Sequence, residues 1–310
     1  MHEASAGKFG LLSNQGKMKS IELKSRAKIN LSIDVLGKRE DGYHLVEMIM
    51  QTIDLYDIIK ITENDIDEIN INSNSLDIPL NKNNIVYKAA ELLKDRFNIK
   101  SGLDIFIQKN IPVAAGMAGG SCNAAAVLVG LNKLWNLNLS EKQLQEIGLT
   151  LGADVPFCIS GKTALAQGIG EELTYIKGLP KDASILICKP NLFVSTKDVY
   201  QGLDLDNIKD RPDNKLLIKC LEEGNIKVLS ENMVNVLENV TSKMHEEILD
   251  IERIMMDNNA LGSMMSGSGP TVFGIFEKEE DAIKGKEKLL EKYNQVYVVR
   301  SSERGVEINE

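Results

Sequence analysis

A run of small residues in the first half of the chain can bring its backbone close to a bulky anion. Residues 114–121 read AAGMAGGS, and every one of them except Met117 is small. A β-strand is predicted before this loop, over 103–108, and an apolar helix after it, from about Ser121. The free N–H groups and the positive dipole end at the start of that helix favour phosphate. A flexible connection between a strand and a closely packed helix is the alternative.

This loop does not match the two best-known phosphate-binding motifs. A Walker loop needs Gly-x-x-x-x-Gly-Lys-Ser/Thr, and no lysine occurs in this loop or in the first turns of the helix. The dinucleotide fingerprint Gly-x-Gly-x-x-Gly does not fit the spacing of Gly116, Gly119 and Gly120. A phosphate held here therefore needs positive charge from another part of the chain.

A lysine and an aspartate that are far apart in the chain are candidates for the chemistry. Lys28 lies in Ala-Lys-Ile-Asn, where its ammonium group can offer a point charge to phosphate or to a reacting hydroxyl. Asp154 lies in a Gly-Ala-Asp-Val-Pro turn and can accept a proton from an alcohol, as phosphoryl transfer requires. Either residue can equally be structural, since an isolated lysine is usually solvated and a turn aspartate often bonds its own backbone.

Aromatic and glycine-rich segments elsewhere can complete a site. Tyr43 and His44 follow the turn Asp41-Gly42 and offer a flat ring and a hydrogen-bonding ring, which suit a nucleobase; ordinary strand-start aromatics are the alternative. Tyr200 can supply a second ring, although a plain surface or core tyrosine fits its spacing better. A second glycine-rich turn, Gly267-Ser268-Gly269, can close over phosphates or form a helix cap.

Composition restricts the class of protein. The 310 residues suffice for two domains, and a net charge of −9 argues against a nucleic-acid surface. The sequence has four cysteines without a Cys-x-x-Cys motif and three histidines, which argues against a metal centre or a disulfide scaffold and favours a reducing cytoplasm. No signal peptide is predicted, and no apolar run approaches the roughly 18–20 residues that cross a bilayer.

Periodicity and turn signals predict an α+β chain in two domains. Residues 1–17 are expected to form a flexible tail, followed by an N-terminal domain over 18–180 and a C-terminal domain over 181–310. The boundary is placed at the Lys-Gly-Leu-Pro-Lys-Asp segment of residues 177–182. Beyond it, the order strand, helices, strand, helix, strand predicts a ferredoxin-like layer.

Local signals position individual elements. Two strand pieces are predicted within 20–37, the Asp41-Gly42 dipeptide predicts a hairpin, and separate strands are expected at 45–52 and 57–62. Asn83 or Asn84 is expected to cap one helix, and a capping box at 140–143 to begin another. Within a mostly helical stretch at 213–259, one face is predicted to carry Met244, Ile248, Ile251 and Met255.

Three motifs, at 26–34, 112–124 and 266–270, together resemble the GHMP small-molecule kinases, which include galacto-, homoserine, mevalonate and phosphomevalonate kinases. That family has, in this order, an N-terminal strand segment, a Pro-x-x-x-Gly-x-x-x-Ser loop and a C-terminal glycine-rich turn. The segments 39–44 (REDGYH) and 151–157 (LGADVPF) are most similar to the branch whose members phosphorylate a cytidine-diphosphate-linked methylerythritol. The resemblance extends over about residues 20–300.

The resemblance implies both a fold and an activity. The fold would be a ribosomal protein S5 domain 2-like N-terminal domain and a ferredoxin-like C-terminal domain, with the active site between them. The activity would be ATP-dependent phosphorylation of the 2-hydroxyl of the cytidine-linked alcohol in the non-mevalonate isoprenoid pathway. Mg²⁺ would arrive with ATP, and no protein ligand for it is identified. The expected partner is this small molecule, with no nucleic acid or membrane, in a monomer or homodimer.

The resemblance also implies roles for single residues. Asp154 matches the catalytic base and Lys28 the lysine beside it. The residues matched to ATP binding are Pro112, Val113, Ala114, Ala115, Gly116, Met117, Ala118, Gly119, Gly120, Ser121, Cys122, Asn123, Asn84 and Lys109. Those matched to substrate binding, with the aromatic rings on either side of the cytosine, are Asn30, Tyr43, His44, Tyr200, Gly267, Ser268 and Gly269. Leu is commoner in the family than Met117, and Ser or Thr than Cys122, which lacks a hydroxyl.

Two other functions stay open at this point. Another GHMP kinase, acting on homoserine or mevalonate, would keep the glycine-rich loop but has no need of the Asp-Gly-Tyr-His segment. A nucleotide-binding regulatory module without turnover would tolerate the loss of Lys28 or Asp154. A panel of substrates separates the first alternative, and the joint presence of the two charged residues argues against the second.

Overall fold

Residues 19–309 are described by a computed structural model, in which two β-sheets are covered by helices. The strands are β1 (Ser20–Lys38), β2 (His44–Asn64), β3 (Ile69–Ser73), β4 (Gly102–Gln108), β5 (Thr163–Gln167), β6 (Glu172–Tyr175), β7 (Ser184–Lys189), β8 (Gly262–Met265), β9 (Val272–Phe276), β10 (Gln295–Val299) and β11 (Val306–Asn309). The helices are α1 (Ile85–Phe97), α2 (Gly119–Leu134), α3 (Glu141–Leu149), α4 (Val155–Ser160), α5 (Thr196–Gln201), α6 (Asn214–Glu223), α7 (Ile226–Glu231), α8 (Glu238–Met244), α9 (Glu247–Asp257) and α10 (Glu279–Leu290).

The first sheet has seven strands and is built around the long hairpin of β1 and β2. Its order is β11-β1-β2-β4-β3, with β5 beside β2 and β6 beside β5. The predicted turn at Asp41-Gly42 is confirmed, and Gly42 has a φ of 90° that suits glycine. The prediction of separate strand pieces was wrong, because β1 is a single strand of 19 residues and β2 a single strand of 21. Register shifts in the pairing of β1 with β2, one of them between Arg26 and Lys28, are bulges. They let β1 continue where its alternating sequence pattern is interrupted.

Helix α2 is the buried support of the glycine-rich loop. Its burial explains why its sequence is apolar on all sides. Close approach to the sheet depends on Gly130, where a Cβ would lie 2.9 Å from Leu23 Cδ1. The helix begins at Gly119, earlier than predicted, because Ala118 takes a left-handed φ of 58° at the N-cap. The predicted caps of α1 and α3 are confirmed: Asn84 accepts from the Val86 N–H, and Ser140 closes a capping box.

The second sheet has the order β10-β7-β9-β8 and is antiparallel throughout. The first strand of this half of the chain therefore lies between the last strand and the third, which is the ferredoxin-like arrangement that the sequence predicts. Ile248, Ile251 and Met255 form the buried face of α9. Met244 was wrongly placed on that face: it ends α8, a non-helical His245 follows it, and its side chain is 49% exposed.

Contacts between the two halves of the chain are extensive. Val35 and Met50 of the first sheet belong to the same buried apolar cluster as Leu186 and Phe276 of the second. The last strand, β11, returns to the first sheet and pairs with β1. A domain boundary at 180/181 stays a prediction. Because β11 pairs with β1, a division at that point would have to assign β11 to the N-terminal domain. The predicted tail at 1–17 lies outside the described residues. Within residues 19–309, no helix has both the length and the apolarity to cross a membrane.

Candidate active site

The glycine-rich loop between β4 and α2 presents unpaired backbone N–H groups. Ala114, Gly116 and Ala118 alternate in left-handed conformation, with φ of 51°, 73° and 58°. Such alternation turns successive amides toward one concave side, which forms a cradle for anions. The Ala118 cap supplies no side-chain acceptor, and the first turn of α2 has no acidic residue. The first N–H groups of a helix lack partners within it, so those of Gly119, Gly120 and Ser121 are available to a ligand, whereas the Cys122 N–H already donates to the Ala118 carbonyl.

A cavity of about 410 Å³, here called the loop cavity, opens in front of these N–H groups. Lys28 and Asp154 line it together with both glycine-rich turns. Its lining consists of Lys28, Asn30, Ile33, Met48, Ile85, Ala114, Ala115, Gly116, Ala118, Gly119, Gly120, Ser121, Asp154, Thr196, Tyr200, Leu237, Gly267 and Ser268. The fold thus brings to one cavity a lysine from β1, a carboxylate before α4 and the amide cradle.

A neighbouring cavity of about 710 Å³, here called the aromatic cavity, is lined by Tyr43, His44 and Tyr200. The other residues on its walls are Lys38, Gly42, Val46, Met48, Ser121, Ala153, Asp154, Ile169, Thr196, Lys197 and Gln201. Five residues occur in both linings, namely Met48, Ser121, Asp154, Thr196 and Tyr200. Asp154 therefore lies where the two cavities meet.

Lys28 is a buried cation that is tied to both glycine-rich turns. Its side chain is 5% exposed, and Nζ donates to Asn30 Oδ1 at 2.7 Å. The same oxygen accepts from the backbone N–H of Gly267 at 3.1 Å, and the Lys28 backbone N–H donates to the Met117 carbonyl at 3.2 Å. These three hydrogen bonds hold Lys28 beside both the loop and the second turn.

Asp154 takes the N-cap position of α4 without capping it. Its carboxylate and the Lys28 ammonium both act on the buried thiol of Cys158. A hydrogen bond with Cys122 and burial raise the pKa of Cys158; Asp154 raises this pKa further, and Lys28 lowers it. Burial and, to a smaller extent, Asp154 raise the pKa of Tyr200 to about 12, so its hydroxyl stays protonated at neutral pH. The Lys28 ammonium and the Asp154 carboxylate therefore both lie close enough to Cys158 to affect its pKa.

The rings of the aromatic cavity are not equivalent. His44 and Tyr200 are in direct contact, with ring centroids 4.8 Å apart and planes tilted by 38°. No base fits between these two rings as they stand, whereas the Tyr43 side chain is 58% exposed. Burial and the charge of Lys38 lower the pKa of His44, so its ring is mainly neutral at pH 7 and can both donate and accept a hydrogen bond.

Several residues matched to ATP or substrate binding line neither cavity. They are Pro112, Val113, Met117, Cys122, Asn123, Asn84, Lys109 and Gly269. Lys109 forms a buried ion pair with Asp57, whose carboxylate also accepts from Asn123 Nδ2 at 2.8 Å and from the Ile111 N–H at 2.8 Å. This network fastens the start of the loop to β2.

The other side chains in this group have structural surroundings. Asn84 caps α1 and donates to the Pro79 carbonyl at 2.8 Å. Met117 and Cys122 are each 1% exposed, with Cys122 Sγ 3.2 Å from Cys158 Sγ. Met117 and Cys122, the two residues that differ from the family pattern, therefore pack beneath the loop and do not face either cavity.

Sequence reasoning missed several residues of the two linings, including Thr196, Met48, Lys38 and Lys197. Thr196 lines both cavities, and its Oγ1 lies 2.8 Å from Ser268 Oγ. A signal for it existed in Ser195, which caps α5 and so places the next side chain at a helix start. The lysines had no such signal, because exposed lysines are common everywhere.

Comparisons with known proteins find sequences similar to most of this chain. The family model described as the GHMP kinases N terminal domain matches residues 84–162, and the GHMP kinases C terminal model matches 217–295. A 4-diphosphocytidyl-2-C-methyl-D-erythritol kinase of Clostridioides difficile (strain 630) is 74% identical over 291 residues, covering 94% of this chain and 98% of its own. A protein of the same name from Alkaliphilus oremlandii (strain OhILAs) is 57% identical, covering 94% of this chain and 100% of its own.

Solved structures give the same picture of the fold. A crystal structure of 4-(cytidine 5'-diphospho)-2C-methyl-D-erythritol kinase superposes with a TM-score of 0.77 at 28% identity, covering 91% of this chain and 99% of that one. A homoserine kinase from Cytophaga hutchinsonii superposes with a TM-score of 0.74 at 19% identity, covering 94% and 97%. At that identity the second likeness concerns the fold alone.

Proposed function

The chain belongs to the GHMP kinase family, and from this premise we propose that it transfers the γ-phosphate of ATP to the 2-hydroxyl of 4-diphosphocytidyl-2-C-methyl-D-erythritol. The high identity to relatives named as this kinase supports the substrate assignment. A kinase with this substrate acts in the non-mevalonate pathway to isoprenoid precursors. Use of ATP follows from the family.

The observation that carries the proposal is the position of Asp154 at the junction of the two cavities. Phosphoryl transfer requires the donor phosphate and the acceptor hydroxyl to meet in line, with a group that orients the hydroxyl. A nucleotide whose phosphates lie on the amide cradle fills the loop cavity. A cytidine-linked alcohol in the aromatic cavity then brings its hydroxyl to the residue that both cavities share.

Each residue of the proposed site has a distinct role. The N–H groups of Gly119, Gly120 and Ser121 hold the phosphates. The Asp154 carboxylate accepts the proton of the 2-hydroxyl as its oxygen attacks the γ-phosphorus and the bond to the ADP leaving group breaks. The Lys28 ammonium, oriented by Asn30, stabilises the charge on the transferring group. His44 and Tyr43 contact the cytosine, one by hydrogen bonds and the other by its ring face.

The donor set of the site fits an Mg²⁺ ion that arrives with ATP. Mg²⁺ usually keeps several waters and binds substrate phosphates together with few protein oxygens. The Ser121 side chain lines the loop cavity and would offer its hydroxyl to the ion, which leaves Asp154 free to act as the base; the described residues contain no cluster of three or more metal-binding side chains. The ion, when bound, would neutralise phosphate charge. Positioning of the hydroxyl and removal of its proton remain the work of the side chains.

The direct test is a coupled ADP-release assay with ATP, Mg²⁺ and 4-diphosphocytidyl-2-C-methyl-D-erythritol, with homoserine and mevalonate as parallel substrates. Turnover with the cytidine-linked alcohol alone is the expected result. Faster turnover of homoserine or mevalonate would identify another GHMP activity. Nucleotide binding without ADP release from any of the three would favour the non-catalytic module.

Surroundings and assembly follow from the same proposal. All four cysteines are free and buried, which is compatible with the reducing cytoplasm proposed for this enzyme. The proposed partner is the small-molecule substrate, in a monomer or homodimer. Sedimentation velocity of the purified protein distinguishes these two assemblies.

A further inference from the structure

The aromatic cavity carries positive charge to which the proposed mechanism gives no role. Lys38 at the end of β1 and Lys197 in the first turn of α5 both line it. Asp154 is the sole acidic residue among the described residues of that lining. Neither lysine forms an ion pair within residues 19–309. A protein with a net charge of −9 thus presents a locally positive wall.

The two lysines belong to the elements that supply the rings. Lys38 lies opposite His44 in the β1–β2 ladder. Its charge reaches the imidazole, because Lys38 adds to burial in lowering the pKa of His44. Lys197 precedes Tyr200 by three positions on α5, so the two side chains are neighbours on that helix. The His44–Tyr200 ring pair is therefore flanked by a cation from the hairpin and a cation from the helix.

We propose that Lys38 and Lys197 bind the diphosphate of the cytidine-linked substrate, and so make this cavity selective for a nucleoside diphosphate conjugate. This inference rests on the proposed function. In that substrate the diphosphate joins the base to the alcohol. With the base at the rings and the alcohol at Asp154, the diphosphate lies in the same cavity as the two ammonium groups. Neither ammonium group has an ion-pair partner among residues 19–309, so a dianion bound at this wall is attracted by both charges.

The test compares the binding of cytidine diphosphate with that of cytidine, which lacks the phosphates. Isothermal titration calorimetry is carried out with saturating ADP, so that the loop cavity is occupied. The Lys38→Gln and Lys197→Gln variants should each weaken cytidine diphosphate binding by about threefold to tenfold and leave cytidine binding unchanged. The wild-type preference for cytidine diphosphate should also fall as salt rises, and fall less in the double variant.

A matched control separates local contact from overall charge. Lys142 is exposed on α3 and lines neither cavity, so Lys142→Gln makes the same change in net charge and should leave both affinities as in the wild type. In steady-state assays, Lys38→Gln and Lys197→Gln should raise KM for the cytidine-linked alcohol while kcat and KM for ATP stay unchanged. Replacement of either lysine by arginine should retain most of the affinity.

Failure of this inference differs from failure of the proposed function. Unchanged affinity for cytidine diphosphate in the double variant, or an equal loss for cytidine, would overturn the role of the lysines. An effect of Lys142→Gln as large as theirs would do the same. If the wild-type protein fails to turn over the cytidine-linked alcohol, the proposed function is wrong, and the two binding titrations still decide whether the lysines hold a diphosphate.

Discussion

The backbone of Gly267 lies directly against the backbone of Gly116. A Cβ on Gly267 would be 2.9 Å from the Gly116 carbonyl oxygen, and a Cβ on Gly116 would be 2.4 Å from the carbonyl oxygen of Ser266. The Ser266 hydroxyl also donates to the Gly116 carbonyl at 3.0 Å. Two glycine-rich turns from distant parts of the chain therefore share one wall of the loop cavity, and a side chain at either position would push them apart.

We expect Gly267→Ala to raise KM for ATP, an effect that its loss of unfolding free energy does not account for. The φ of 59° and the contact with Gly116 both oppose a Cβ there. Gly224→Ala is the control, because Gly224 has a φ of 70° with nothing within 4 Å of its Cβ position. Both variants should lose about 1–2 kcal/mol of unfolding free energy from the left-handed conformation. A raised KM for ATP should appear in Gly267→Ala alone; equal kinetics in both variants would refute the proposed wall.

Asp154→Asn should lower kcat by about 10²–10⁴-fold, the range for loss of a general base. The amide keeps the shape of the carboxylate and cannot take the proton, so ATP affinity should stay near the wild-type value. The measurement is steady-state kinetics together with calorimetric titration of ATP. Asp210→Asn, on an exposed residue outside both cavities, serves as control. A kcat for Asp154→Asn within threefold of wild type would exclude the proposed base.

Lys28→Met should separate activity from stability. Lys28 is 5% exposed, and its Nζ has the Asn30 amide oxygen as its hydrogen-bond acceptor among the described residues, with no ion pair. Burial of a charge without an ionic partner costs free energy, so a methionine of similar length should maintain or raise Tm. Loss of the ammonium group should reduce kcat by about 10²-fold. A fall in Tm together with unchanged kcat would contradict the assignment.

His44→Ala should affect the cytidine-linked substrate and not ATP. His44 lines the aromatic cavity and does not line the loop cavity, so KM for the alcohol should rise while KM for ATP stays constant. His245→Ala, at the end of α8 and outside both cavities, is the matched control. If His44→Ala raises both KM values to the same extent, recognition of the base lies elsewhere in the molecule.

A buried pair of carboxyl groups behind the second glycine-rich turn should make stability depend on pH. Glu238 Oε2 accepts from the Met265 N–H at 2.7 Å, and Glu252 Oε1 is buried without a hydrogen-bond partner in the described chain. Burial, followed by the proximity of Glu238, raises the pKa of Glu252 from 4.5 to about 9. Between these values the folded protein keeps a proton that the unfolded chain releases, so stability should fall as pH rises from 4.5 to about 9.

Glu252→Gln cannot ionise and should flatten this dependence. Urea unfolding at pH 5, 7 and 9 measures it, with a contribution of at most about 1.4 kcal/mol per pH unit from one group. The variant should therefore gain stability over wild type as the pH rises. Glu280→Gln, at an exposed position of α10, is the control variant. Parallel stability profiles for wild type and Glu252→Gln would contradict the raised pKa.

Elements with local causes were predictable from the sequence. The Asp41-Gly42 hairpin, the Asn84 cap and the Ser140 capping box each depend on residues within a few positions of one another, and all three are confirmed. The errors arose where tertiary packing overrides local pattern. Bulges keep β1 continuous through Arg26 and Lys28, and the helix break at His245 moves Met244 out of phase with α9.

The sequence by itself determined the chemical types that the site can use: small residues that free the loop backbone, one lysine without acidic neighbours, and a carboxylate on a turn. Tertiary structure alone decided their arrangement. It placed Asp154 between two cavities, tied Lys109 to Asp57, and brought Lys38 and Lys197 to the wall of one cavity. The physical reason is that side chains distant in the chain meet only through strand pairing and helix packing. The spacing of residues along the sequence does not specify the geometry of that pairing and packing.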